Sequence, residues 1–147
     1  MSILQPMHGY YLEDLSVGMS AVFGKTVTEA DIMAFAGVSG DTNPIHLHAD
    51  FAKASRFGER IAHGMLSASF ISTVVGTRLP GPGSIYVSQS LNFKAPVKID
   101  DVVVTTVKLI ELVPEKKRAR FETVCSVGGK PVLTGEAVLM IPARPAA

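Results

Sequence analysis

The stretch "GMLSASFISTVVGTRL" at residues 64–79 decides the fold, because it predicts a helix that is apolar or small on every side. Such a helix must be wrapped by surrounding structure, since its whole surface avoids water. The uncharged run inside it (65–77) has only 13 residues and five hydroxyl side chains. That is well short of the roughly 20 apolar residues of a membrane span. We therefore predict a buried helix inside a globular domain.

After "RLPGPGS" (78–84) ends this helix, the period of the apolar residues changes to two, which is typical of strands. Four successive strand candidates follow at residues 84–97, 101–113, 117–127 and 130–141. In the third, alternation places Ala119, Phe121, Cys125 and Val127 on one face. Gly128-Gly129 is suited to a tight hairpin between the last two strands.

Two elements are predicted before the buried helix. Residues 20–27 are indicated as a short strand, and residues 28–40 as a helix with a capping-box-like start at Thr28 and Asp31. The apolar stripe predicted for that helix consists of Ile32, Phe35, Ala36 and Val38.

Taken together, these elements predict a single α+β domain over residues 1–147, a curved antiparallel sheet wrapped around a central buried helix. Residues 1–14 are expected to lie as an arm on the domain. Residues 142–147 are expected to form a flexible tail.

The densest polar chemistry of the chain lies in "SGDTNPIHLHADF" (39–51). Pro44 disfavours helical geometry at Asn43, and the resulting turn can bring Asp41 and His46 together. The alternative is structural, with a turn aspartate that caps local N–H groups and a histidine without a chemical role. Farther along the chain, Gly64 begins the buried helix, where free N–H groups point outward.

Three segments, "GDTNPIH" (40–46), "AHGML" (62–66) and "GSIYVSQSLNFKAPV" (83–97), resemble the MaoC-like, R-specific enoyl-CoA hydratases of the hot-dog fold. The resemblance runs from about residue 15 to residue 141. It implies that Asp41 and His46 hold and activate one water as acid and base, that Asn43 orients them, and that the Gly64 N–H polarises the thioester carbonyl. It also implies a homodimer acting on acyl-CoA, with acyl carrier protein left open as the carrier.

Three further residues are candidates for substrate binding. Ser72 shares roughly the helix face of Gly64 and falls where the family has a serine near the active site. Gln89 interrupts the predicted apolar face of residues 85–93. His63 precedes the helix, where shaping the helix start is the favoured interpretation. For Ser72, a hydroxyl bonded to a carbonyl one turn earlier is an equal alternative.

No metal or cofactor is expected, since coenzyme A enters as part of the substrate. The spacing of His46 and His48 lacks a third placed ligand. With 14 basic and 13 acidic side chains and no basic cluster with interleaved aromatics, nucleic acid is not indicated as a partner. The single cysteine, Cys125, and the lack of an export signal predict a cytoplasmic protein away from the membrane.

Two rival functions are left open by the sequence. One is an acyl-CoA thioesterase on the same fold, which would direct its water at the thioester carbon. The other is a non-catalytic subunit of a heterodimeric 3-hydroxyacyl dehydratase, although such a subunit has no need of Asp41, Asn43 and His46 together.

Overall fold

The structure, a computed structural model, describes residues 5–147. Short 3-10 helices occupy Gln5–Met7, Leu12–Asp14 and Pro114–Lys116. The longer elements, in chain order within each class, are helices α1 (Glu29–Ser39), α2 (Pro44–Leu47), α3 (Ala49–Lys53) and α4 (Gly64–Thr77), and strands β1 (Ser20–Thr26), β2 (Ile85–Gln89), β3 (Asn92–Phe93), β4 (Val102–Val113), β5 (Arg118–Val127) and β6 (Lys130–Met140). Between residues 5 and 147, no helix has the length and apolar character needed to cross a membrane.

The strands form one antiparallel sheet in the order β1-β4-β5-β6-β2, with β3 pairing β6 beside β2. The tight turn between β5 and β6 is confirmed, because Gly128 and Gly129 both have positive φ, 57° and 79°. Alternation along β5 is confirmed as well, with Ala119, Phe121 and Cys125 buried on one face. The long strands therefore form as their period of two predicts.

Helix α4 packs against this sheet, chiefly on β4. Its buried apolar residues are Leu66, Phe70, Ile71, Val74 and Val75. They meet a core that includes residues of three strands, among them Val107, Leu109, Phe121 and Leu139. Burial of each such side chain contributes about 1.5–3 kcal/mol, so the contact between helix and sheet is a large contribution to the stability of the domain.

The prediction that α4 is wrapped on every side is wrong for the single chain. Met65 is 53% exposed, and Ser69, Ser72 and Gly76 are exposed on the same side. A single sheet covers only one side of a helix. Small and hydroxyl side chains occupy the uncovered side.

Two other predictions need correction. The strand predicted at 84–97 is divided into β2 and β3, because the side chain of Ser90 accepts a hydrogen bond from the backbone N–H of Glu136 and interrupts the regular ladder. Val38 is 83% exposed. It lies six positions beyond Ile32, which at 100° per residue is about 240° around α1, away from the buried face.

The two ends of the chain contact each other. Leu12 is buried, and its N–H donates to the carbonyl of Pro142. Arg144 bonds to Asp14 through its guanidinium, and its backbone N–H donates to the carboxylate of Glu13. The tail that was predicted to be flexible from residue 142 is thus held against residues 12–14 as far as Arg144, while the first four residues of the predicted arm lie outside the described residues.

Candidate active site

Asp41 lies in the connection between α1 and α2. Helix α1 ends at Gly40, whose φ of 78° turns the chain out of the helix. The backbone N–H of Asn43 then donates to Oδ1 of Asp41 at 3.2 Å. This turn fixes the carboxyl group and leaves its second oxygen unengaged by the turn, while the residue as a whole stays exposed.

Asn43 has a second part in the local structure. Its side-chain Oδ1 accepts the N–H of Ile45 at 3.1 Å and so caps α2, which has Pro44 at its first position. A side-chain cap and a proline at the first position both favour a helix start. Asn43 therefore holds Asp41 through its backbone and the helix of His46 through its side chain.

His46 is buried, with 8% of its surface exposed. Its Nδ1–H donates to the carbonyl of Ile61 at 2.8 Å, because a carbonyl oxygen can only accept. In the neutral ring this bond leaves a free lone pair on Nε2. Arg60 donates from Nε to the backbone carbonyl of His46 at 2.6 Å and pairs with Glu29 at 2.8 Å. His46 is thus fixed in both ring orientation and backbone position.

His63 is packed directly against His46. The two rings stack at 3.8 Å with planes 28° apart, and His63 is only 1% exposed. Its Nε2–H donates to the backbone carbonyl of Asp41 at 2.9 Å. His63 occupies the residue before α4, but its side chain makes no cap hydrogen bond there. It instead ties the turn of Asp41 to the start of the buried helix.

Gly64 is the first residue of α4, where N–H groups have no partner within the helix. A Cβ atom at this position would lie 2.6 Å from the ring of Phe93. A larger residue here would press on the Phe93 ring, so glycine permits the close approach of β3 to the helix start.

One cavity of about 480 Å³ joins these groups. Asp41, His46, His63 and Gly64 all line it, so the structure brings together a carboxylate, an imidazole and a helix N-terminus from separate segments. Its apolar wall includes Phe93, Val97, Val132 and Leu133, and two cations, Arg56 and Lys94, also line it.

Two residues suggested by the sequence lie elsewhere. Ser72 is on the exposed side of α4 and does not line the cavity. Gln89 is also outside it, and its side-chain amide donates to Thr123 Oγ1 at 3.0 Å and to the carbonyl of Ser90 at 2.9 Å. Sequence reasoning missed Ser67, which lines the cavity and is 2% exposed. Its position one helical turn beyond Gly64 was the only hint in the sequence that its side chain lies near the site.

Metal binding is the other chemistry that this cluster could support. One ligand atom each from Asp41, His46 and His63 lies within 4.8 Å of the other two. His48, which the sequence placed two residues from His46, is not part of this trio. Its Nδ1 accepts the N–H of Phe51. One nitrogen of each imidazole is already engaged by a backbone carbonyl, Nδ1 of His46 by Ile61 and Nε2 of His63 by Asp41, so each ring has one nitrogen left for a ligand role.

The environment of His46 gives a pH prediction. Burial lowers the pKa of His46 below its ordinary value of 6.5, the nearby His63 lowers it further, and the Ile61 carbonyl and Asp41 act in the opposite direction. The unfolded chain therefore binds this proton more readily than the folded one. We expect the free energy of unfolding to fall as the pH drops through 6.5 toward the folded pKa.

Urea unfolding at pH values on either side of 6.5 measures this effect. Other groups titrate in the same range, so the comparison is between the wild type and His46→Gln. The wild type should lose more stability on acidification than the variant. Equal losses would contradict a depressed pKa at His46.

A second prediction concerns Arg60, which supports His46 without lining the cavity. Arg60→Ala removes the bond to the His46 carbonyl and should lower kcat about tenfold to a hundredfold, because small displacements of a reacting group have effects of that size. KM should change little. The measurement is steady-state kinetics with an enoyl thioester, the substrate that the family resemblance implies.

Glu29→Gln is the control for Arg60→Ala. It weakens the ion pair with Arg60 but leaves the bond from Arg60 to His46 intact. The Glu29 side chain is 54% exposed, and exposed ion pairs contribute little to the free energy of unfolding. A variant Glu29→Gln as impaired as Arg60→Ala would show that general stability, rather than the position of His46, is affected.

Comparison with known proteins agrees with this site. The family model described as MaoC like domain matches residues 16–136. The chain is 59% identical over 135 residues to an (R)-specific enoyl-CoA hydratase of Rhodospirillum rubrum, covering 92% of this chain and 94% of that protein. It is 49% identical over 142 residues to a 3-hydroxybutyryl-CoA dehydratase of Methylorubrum extorquens, covering 97% of this chain and 90% of that protein.

The fold is matched by solved structures as well. The unliganded R-hydratase PhaJ1 of Pseudomonas aeruginosa superposes with a TM-score of 0.88 at 42% identity, covering 94% of this chain and 89% of that chain. The (R)-hydratase of A. caviae involved in PHA biosynthesis gives a TM-score of 0.86 at 43% identity, covering 88% of this chain and 99% of that chain. These matches confirm the predicted α+β hot-dog fold.

Proposed function

This chain belongs to the MaoC-like domain family, and we propose that it is an (R)-specific enoyl-CoA hydratase, a hydro-lyase that adds water to trans-2-enoyl-CoA. The product is the (R)-3-hydroxyacyl-CoA, and the reverse reaction is its dehydration. The observation that carries the proposal is the convergence of Asp41, His46 and the N-terminus of α4 on one cavity. Similarity to the hydratases and dehydratase described above supports it.

In this mechanism Asp41 and His46 hold one water against C3 of the substrate. The water oxygen forms a bond to C3, one of its protons passes to the pair, and a proton is delivered to C2. His46 is suited to accept, because its Nδ1 is engaged by Ile61 and Nε2 keeps a lone pair.

Attack at C3 moves negative charge onto the thioester oxygen. The Gly64 N–H is proposed to donate to that oxygen. In other enzymes one preorganised donor at such a position lowers the activation free energy by about 3 kcal/mol. All the reacting groups of this mechanism come from the protein, so no metal or redox cofactor takes part in it. Coenzyme A arrives with the substrate.

The carrier is proposed to be coenzyme A, which is named for both relatives described above. Arg56 and Lys94 are exposed cations that line the cavity, and phosphate groups of coenzyme A would be neutralised there. Arg60 and Arg78 have other partners, namely Glu29 and the backbone carbonyl of Val22.

The deciding experiment is incubation of the purified protein alone with crotonyl-CoA. We expect loss of the enoyl thioester absorbance and formation of (R)-3-hydroxybutyryl-CoA, with chirality established by a stereospecific dehydrogenase. Release of free coenzyme A from a saturated acyl-CoA would favour the thioesterase instead. Absence of turnover that returns on adding a second, different subunit would favour the non-catalytic role.

We also propose that the protein is a homodimer joined through β2. This strand lies at one edge of the sheet, and Ile85 and Val87 on it are 57% and 49% exposed. Phe93 and Met65, which line the cavity, are also more than half exposed, so a second copy at this edge would close the site. Exposed apolar residues on an unpaired strand edge favour association.

Sedimentation equilibrium tests the dimer with a matched pair of variants. Val87→Lys places a charge on the β2 edge and should yield monomers. Val22→Lys makes the same change at the opposite edge strand, β1, where Val22 is 48% exposed. Val22→Lys should stay dimeric. A dimer in Val87→Lys together with a monomer in Val22→Lys would place the interface at β1 and would contradict an interface at β2.

The cytoplasm is the proposed location. Cys125 is a free thiol with no exposed surface, and its pKa is raised by burial, which makes it unreactive. Such a thiol is compatible with a reducing compartment.

A further inference from the structure

Ser67 carries a buried hydroxyl that the mechanism does not use. The residue is 2% exposed, and its Oγ has no hydrogen-bond partner among the described residues. Serine in a helix usually bonds back to a carbonyl one turn earlier, as Ser69 does to Leu66. The Ser67 hydroxyl instead lines the cavity.

The position of Ser67 places this hydroxyl deep in the cavity. It lies three residues beyond Gly64 on the same helix, and its backbone carbonyl accepts the thiol of Cys125 at 3.6 Å. Cys125 belongs to β5, the middle strand of the sheet. Ser67 is therefore at the floor of the cavity against the sheet, whereas Arg56 and Lys94 are exposed to solvent.

Two residues of the surrounding floor are apolar. Val132 and Leu133 on β6 line the cavity, are both buried, and offer no polar side-chain atom to the hydroxyl. A buried hydroxyl without a partner is unfavourable, so water in the cavity or the substrate must meet it. Its effect on a substrate then depends on how far the acyl chain reaches.

We propose that Ser67 is a specificity-determining residue that makes the enzyme prefer short acyl chains. A short chain ends before the floor and leaves room for water bonded to the hydroxyl. A longer alkyl chain displaces that water and leaves the hydroxyl unpaired against methylene groups. This inference rests on the proposed hydratase function and names its substrate class as short-chain trans-2-enoyl thioesters.

The test compares kcat/KM for crotonyl-CoA and trans-2-octenoyl-CoA. In the wild type the ratio should favour crotonyl-CoA. In Ser67→Ala it should shift toward octenoyl-CoA by about tenfold or more, the usual size of the effect of an unpaired buried hydroxyl. Ser69→Ala is the matched control on the same helix, because the hydroxyl of Ser69 already has a partner, and it should leave the ratio unchanged.

A second pair of variants separates polarity from volume. Ser67→Thr and Ser67→Val have nearly the same shape, but only threonine has a hydroxyl. Ser67→Thr should retain the preference for crotonyl-CoA relative to Ser67→Val. Circular dichroism and thermal unfolding establish that each variant folds.

The outcomes distinguish this inference from the function on which it rests. An active wild type whose ratio is unchanged in Ser67→Ala, or equal in Ser67→Thr and Ser67→Val, overturns the role of Ser67 alone. A wild type that hydrates neither substrate overturns the hydratase function, and the inference with it.

Discussion

Asp41→Asn is expected to lower kcat for crotonyl-CoA hydration by about three orders of magnitude, toward the upper part of the range for positioned acid-base groups. The amide keeps an oxygen that can accept the Asn43 N–H, so the turn should be preserved. It cannot accept a proton from water at neutral pH. Steady-state kinetics should therefore show a large loss in kcat with a modest change in KM.

Asp50→Asn is the matched control for this substitution. Asp50 is exposed on α3 and lies outside the cavity, so the same loss of charge should leave kcat unchanged. His46→Gln should be impaired about as strongly as Asp41→Asn, and the double variant little more than either, because groups that act as a unit have non-additive effects. Near-normal turnover in Asp41→Asn would remove the mechanism.

The sequence predicts the sheet and the central helix well because local rules act there. Alternation along β5 requires only that one face be buried, and Gly128-Gly129 supplies the positive φ of the turn. The division of the strand at Ser90 depends on a side-chain bond to β6, 46 residues away. No local pattern encodes that contact.

The site shows the same division between local and distant interactions. Asp41, Asn43 and His46 form one local turn, and their association could be predicted from spacing around Pro44. The stacking of His63 on His46 joins segments 17 residues apart and follows only from the packing of the helix start. Its bond to the carbonyl of Asp41 was likewise unseen in the sequence.

Ser72 lies outside the cavity for a geometric reason. At 100° per residue Ser72 is about 80° from Gly64, and Ser67 is about 60° from it on the other side. The sheet covers the side of Ser67 and leaves the side of Ser72 exposed. Since α4 is small or apolar all round, its sequence does not reveal which side the sheet covers.

Replacement of Gly64 by proline tests the amide itself. Proline has no N–H, is favoured at the first position of a helix, and requires an extended residue before it, which His63 provides with φ −58° and ψ 133°. Gly64→Pro should lower kcat by about a hundredfold to a thousandfold beyond Gly64→Ala, the usual effect of one oxyanion donor.

Gly64→Ala is the necessary reference, because both substitutions add a Cβ that meets the ring of Phe93 at 2.6 Å. Phe93 is 54% exposed, so its ring has room to move, and the alanine variant should keep most of its turnover. The two variants then differ in the N–H group and in the ring carbons Cγ and Cδ of proline. Since proline stabilises a helix start, a low rate in Gly64→Pro with an unchanged or raised unfolding temperature would exclude misfolding as the cause. Equal rates in the alanine and proline variants would show that the thioester oxygen is stabilised by another donor, and Gly64 would then serve only the close packing of β3 on α4.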